Sequence, residues 1–166
     1  MRPCDKQAYI NLKKREHNVT SHTNCSICSE CNGKCCKSGG CGLMTCDIPE
    51  ISVEGITKLL DSGKYSINFL YSDLFGVIPS MHAREEDASR INNSPIRKTC
   101  SLLGNNGCTL SKKERPTLGL MFIPKPNFDC KLIVDDLDIL YDWIPLKDLM
   151  EKVIFKETGK SVQGRI

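Results

Sequence analysis

Thiols dominate the chemistry open to this chain. Seven of its eleven cysteines fall in one stretch: Cys25, Cys28, Cys31, Cys35, Cys36, Cys41 and Cys46. Cys4, Cys100, Cys108 and Cys130 make up the rest. Thiolates are soft donors for zinc or iron, and gaps of two or three residues let one short loop wrap its sulfurs around a single ion or cluster.

Cys25, Cys28, Cys31 and Cys35 are separated by two, two and three residues, the spacing of the bacterial ferredoxin run. In that run a proline follows the fourth cysteine, which serves a second cluster with its own run. Here Cys36 follows, and no second run exists. That argues against a ferredoxin electron carrier and leaves open an iron–sulfur cluster held by some of these thiolates. Cys35 and Cys36 are neighbours, and in extended chain neighbouring side chains point to opposite faces. Either one is a ligand and the other a packed thiol, or the two serve different metals.

Other polar groups are weaker candidates. Cys4, near the terminus, reads as a free thiol. His17 and His22 precede Cys25 and read as solvated loop histidines. Asp135, Asp136, Asp138 and Asp142 read as a solvated helix face. Arg115 either neutralises thiolate charge or closes a helical turn at the surface. Arg97, Lys98, Lys112 and Lys113 read as solvated surface. Gly39, Gly40 and Gly42 lie inside the cysteine stretch and not after a strand, which disqualifies them as a nucleotide-binding turn. A zinc ribbon that binds nucleic acid needs two close-spaced cysteine knuckles, and Cys100 with Cys108 is not one.

The cysteine pattern resembles the bacterial CxxCxxCC cysteine-cluster family, the YkgJ type, described as a zinc- or iron-chelating domain. Its first block is matched by Cys28, Cys31, Cys35 and Cys36, and its second by Cys100 and Cys108, with Gly107 before and Arg115-Pro116 after. The resemblance covers about residues 25–130 and implies metal binding without implying a reaction. It implies Cys28, Cys31, Cys35, Cys36, Cys100 and Cys108 as ligands, with Cys25, Cys41, Cys46 and Cys130 as second choices. The family carries a further cysteine three residues past the proline. Gly119 stands there in this chain, so Cys130 or His82 is the expected substitute. Some members of the family are flagellin lysine methylases, so the alternative is a modifying enzyme assisted by the cluster.

Composition sets the class. The chain has 166 residues, 40% of them hydrophobic but only 6% aromatic, so the core is modest and a metal would help it. Structural zinc contributes roughly 10–16 kcal/mol in small peptides, as much as the whole stability of a domain, about 5–15 kcal/mol. Lys and Arg exceed Asp and Glu by only 23 to 20, which argues for neither a nucleic-acid nor a membrane partner. The N-terminus lacks an apolar h-region, and no apolar run reaches a membrane span. The expected setting is cytoplasmic and reducing, where cysteine clusters are metal sites more often than disulfide frameworks. A protein partner is not specified.

The expected fold is one small metal-stabilised α+β domain, mainly helical, with a short hairpin. Residues 1–24 form an N-terminal arm with a short helix at 5–17. Residues 25–166 form the cysteine-cluster domain. Ser52 caps a helix over 52–62 that covers the cysteine stretch and stops at Gly63. Residues 64–76 carry no clear pattern. Residues 77–84 suggest a strand, at an edge because of Pro79. Asn106-Gly107 predicts a hairpin turn that brings Cys100 and Cys108 together at its mouth. Ser111 and Glu114 make a capping box for one helical turn. The apolar run at 117–126 inserts into the core. A pair of helices, about 131–157 with Pro145 opening the second, packs back over the metal region.

Overall fold

The computed structural model describes residues 5–17, 30–125, 127 and 130–162. The elements are α1 (Lys6–Glu16), the short helix α2 (Lys34–Lys37), α3 (Val53–Asp61), β1 (Tyr65–Ser72) and β2 (Gly76–Ala83). Then follow β3 (Leu103–Gly104), β4 (Gly107–Cys108), β5 (Phe122–Ile123), β6 (Lys131–Leu132), α4 (Asp136–Trp143) and α5 (Lys147–Thr158). This is a mixed α+β fold. Helix exceeds strand, 38% to 20%, but strands form the centre.

That centre is the antiparallel hairpin β1–β2, in register from Tyr65 opposite Ala83 to Ser72 opposite Gly76. Two irregular segments flank it. Leu43 donates its N–H to Met81 O and Ala83 donates to Cys41 O, both at 2.8 Å, so residues 41–43 run beside β2. Ile67 donates to Arg90 O and Asn92 donates to Ile67 O, so residues 90–92 run beside β1. Residues 79, 81 and 83 turn their backbone groups toward the 41–43 side. Pro79 lies beyond Leu43 on that side, where no ladder partner asks for an N–H, which is the edge position expected of it.

Two apolar clusters hold the elements. The larger joins α3, β1, β2 and α5 through Ile56, Leu60, Ile67, Met81, Met150 and Ile154, around Trp143. The smaller joins α1 to residues 118–134 through Ile10, Met44, Leu120 and Met121. Trp143 is fully buried, and its Nε1 donates to Leu43 O at 2.9 Å. That bond ties the C-terminal helices to the strand-like segment at 41–43.

The expected helix at 52–62 exists as α3, with Ser52 Oγ accepting from Gly55 N at 2.9 Å. It packs on α5 and β1, and its apolar face joins the larger cluster, which also holds Leu43 of the cysteine stretch. Residues 65–72 form a full strand that alternation did not reveal, since the hairpin is buried on both faces and Ser66 and Asn68 are inside. The helix expected from residue 131 begins at Asp136. Lys131 and Leu132 instead pair with Ile123 and Phe122, and a ladder partner outweighs a helical spacing. The turn at 105–106 is present, with Gly107 at φ 97°. Glu114 Oε2 accepts from Ser111 N at 3.1 Å, half of the expected box, and Arg115 N closes the turn onto Ser111 O.

Candidate metal centre

Cys35 and Cys36 lie on α2, a single helical turn entered through Gly33 in the left-handed region at φ 70°. Neighbours on a helix are turned by about 100° and not opposed, so both sulfurs reach one side. Cys35 Sγ and Cys36 Sγ are 4.0 Å apart. Thiolates on one tetrahedral zinc, with bonds of about 2.3 Å, stand roughly 3.8 Å apart. The objection to a shared ion, drawn from extended geometry, fails because the segment is helical.

Cys100 joins them from far along the chain. Its N–H donates to Cys36 O at 2.7 Å, and its thiol interacts with that of Cys36. It is buried and bridges to Glu85. Glu85 is only 3% exposed; it accepts from Lys98 N at 3.0 Å and from Arg97 Nη1 at 3.2 Å. Through that buried carboxylate, residues 97–100 are fixed onto the end of β2.

The charges of the three thiols are linked. Hydrogen bonding to Cys100, and then to Cys35, pushes the Cys36 thiol up, so Cys36 keeps its proton. Accepting from Cys36 brings Cys35 down to about 6, helped by nearby Arg115. The same donor brings Cys100 down to about 7. Cys36 thus shares its proton with two neighbours whose thiols ionise more readily than an ordinary cysteine.

Cys41 and Cys108 lie next to this group. Burial drives the Cys41 thiol up to about 12, with Cys100 and Cys108 adding to the effect. A Cβ on Gly119 would stand 3.1 Å from Cys41 Sγ. Cys41 therefore occupies the space that a side chain at 119 would fill. Gly40 permits the approach of this segment, since a Cβ there would come within 1.9 Å of Ala83 O. Gly33 and Gly39 take positive φ, whereas Gly40 and Gly42 serve close contact.

His82, Cys46 and His17 are placed away from this group. Gly42 pairs with His82, so the His82 ring lies on the face of the sheet opposite Cys41. Its Nδ1 is buried without a partner among the described residues, and burial, with Arg97, brings the ring down to about 4. Cys46 packs with the smaller cluster, its sulfur 3.5 Å from Thr117 Oγ1. Cys130 is half-buried just before β6, and Cys31 is half-buried in the turn before α2. Cys108 faces Leu103 across β3–β4, not Cys100. His17 is exposed at the end of α1. Cys4, His22, Cys25 and Cys28 lie outside the described residues. Among the described residues, no three or more Cys, His, Asp or Glu side chains form a ready cage for a metal ion.

Two carboxylates that sequence patterns missed hold the segment after Cys41. Asp47 accepts from Met44 N, Thr117 N and Thr117 Oγ1, and pairs with Lys6 at 2.8 Å. Asp142, expected on a solvated face, accepts from Thr45 N at 2.6 Å and Thr45 Oγ1 at 2.7 Å. Asp138 pairs with Lys13 at 2.7 Å. The only signal for such roles would have been a Thr positioned by the fold, which spacing does not display.

Chemically, the donor set fits a thiophilic ion: soft sulfurs from two distant segments, partly deprotonated, beside the cation Arg115. No protein-family model matches the chain, and no curated protein and no solved structure matches it either.

Proposed function

We propose that this chain binds zinc or iron, the iron as a single ion or an iron–sulfur cluster, through thiolates centred on Cys35, Cys36 and Cys100. Cys41 and Cys108 are the next sulfurs, and Cys31, Cys25 and Cys28 belong to the same set by their spacing. The observation that supports this most is the Cys36 thiol lying between the sulfurs of its neighbour and of Cys100, with no disulfide among the described residues. A soft cation among these three thiols would take the place of the shared proton and offset the charge that full deprotonation leaves. The metal stabilises the fold by joining residues 31–41 to residues 100–108, and a reducing, cytoplasmic setting keeps the thiols available.

Elemental analysis of anaerobically purified full-length protein tests this. At least one zinc or iron per chain is expected. Brown protein absorbing near about 400 nm identifies an iron–sulfur cluster, and colourless protein with zinc identifies a single-ion site. Cys36→Ser and Cys100→Ser each reduce the bound metal by more than half, while Cys130→Ser leaves it unchanged. Metal-free protein, or loss that is equal at all three positions, counts against the proposal.

A further inference from the structure

We propose that the cleft bounded by α3, the start of β1 and residues 110–116 binds a small organic anion, an acidic head group on a short apolar body. The cleft has a volume of about 430 Å³, within the usual range of roughly 300–1,000 Å³ for small-molecule sites. Its apolar wall comes from Leu43, Leu59, Leu110, Pro49 and Pro116, of which Leu43 and Leu110 are buried.

The polar groups of the lining decide the ligand's charge. Asp47 is spent on Met44, Thr117 and Lys6. Lys6 is spent on Asp47 and Arg115 O. Ser62 Oγ donates to Leu59 O and accepts from Lys64 N. Glu114 accepts from Ser111 N. What remains is mostly donor. Lys64 lies near Glu114 without pairing to it, and neither Lys64 nor Lys113 forms an ion pair among the described residues. Tyr65 lines the same cleft, and burial and the nearby Asp47 keep its hydroxyl protonated. The lining thus holds three lysines, of which Lys6 is engaged, and two carboxylates that are both engaged. An anion accepting from Lys64, Lys113 and Tyr65 would make charge-assisted bonds, with its apolar part over Leu110 and Leu59. Cys35, Cys36 and Cys100 do not line the cleft, so this site stands apart from the metal proposal.

NMR titration of the full-length protein with sodium hexanoate, hexyl phosphate and 1-hexanol tests it. At least one of the two anions is expected to give saturable shifts at Leu59, Tyr65 and Leu110, and the tighter of the two identifies the head group as carboxylate or phosphate. 1-Hexanol binds at least about tenfold more weakly, the loss of one charge-assisted bond. The double variant Lys64→Gln, Lys113→Gln, at exposed positions, keeps the far-UV spectrum and loses at least about tenfold in anion affinity. Equal binding of 1-hexanol, no saturation by either anion, or unchanged affinity in the double variant overturns the proposal.

Discussion

Cys36 is the pivot of the sulfur group, because its thiol touches both Cys35 and Cys100. Its side chain donates where theirs accept, so removing it frees two thiolates to repel. Cys36→Ser keeps a donor of similar shape but a poor ligand for a soft metal. His82 offers a second test at this scale. Burial brings its folded value to about 4 from an ordinary 6.5. The unfolded chain takes up a proton below pH 6.5 and the folded chain does not until about 4. Its contribution is therefore intact above pH 6.5 and is lost as pH falls from 6.5 toward 4. In an NMR titration the His82 ring is expected to titrate near pH 4, and a midpoint near 6.5 contradicts its burial.

At the scale of elements, the segment at 41–43 matters more than its length suggests. It carries Cys41, borders β2, and receives Trp143 through Leu43 O. Gly40→Ala forces a Cβ onto Ala83 O and is expected to cost at least about 2 kcal/mol by overpacking, read as a shift in the denaturant midpoint with unchanged slope. An unaltered midpoint would show that the segment does not dock this way. The elements were legible where one local signal sufficed. Ser52 and Gly63 mark α3, Asn106-Gly107 marks the β3–β4 turn, and Gly159 at φ 66° stops α5. They were illegible where partners decide. The strand at 65–72 has polar Ser66 and Asn68 inside, with Ser66 Oγ bonded to Asn68 at 2.8 Å, so alternation is lost. The pairing of β5 with β6 depends on residues that no local pattern links. For the candidate site, the cysteines were visible as a set, but the helical turn that brings Cys35 and Cys36 to one side was not. Nor was the proximity of Cys41 to Gly119, which needs two loops to meet in space.

For the molecule as a whole, two apolar clusters carry the fold. The hairpin, α3 and α5 share the larger cluster around Trp143, which does not include the α2 turn. Trp143→Phe leaves Leu43 O unpaired in the interior and is expected to cost about 1–3 kcal/mol, read by chemical denaturation. Strong chelation at neutral pH should open residues 25–46 to protease while the hairpin and α5 stay resistant. Uniform resistance before and after chelation would remove the structural role assigned to the metal.

X-ray absorption at the metal edge of the anaerobically isolated protein tests the thiolate centre most directly. The expected spectrum has a shell of three or more sulfurs at about 2.3 Å from zinc or iron, diminished in Cys36→Ser and Cys100→Ser. A first shell of oxygen or nitrogen alone, or no bound metal to give an edge, contradicts it.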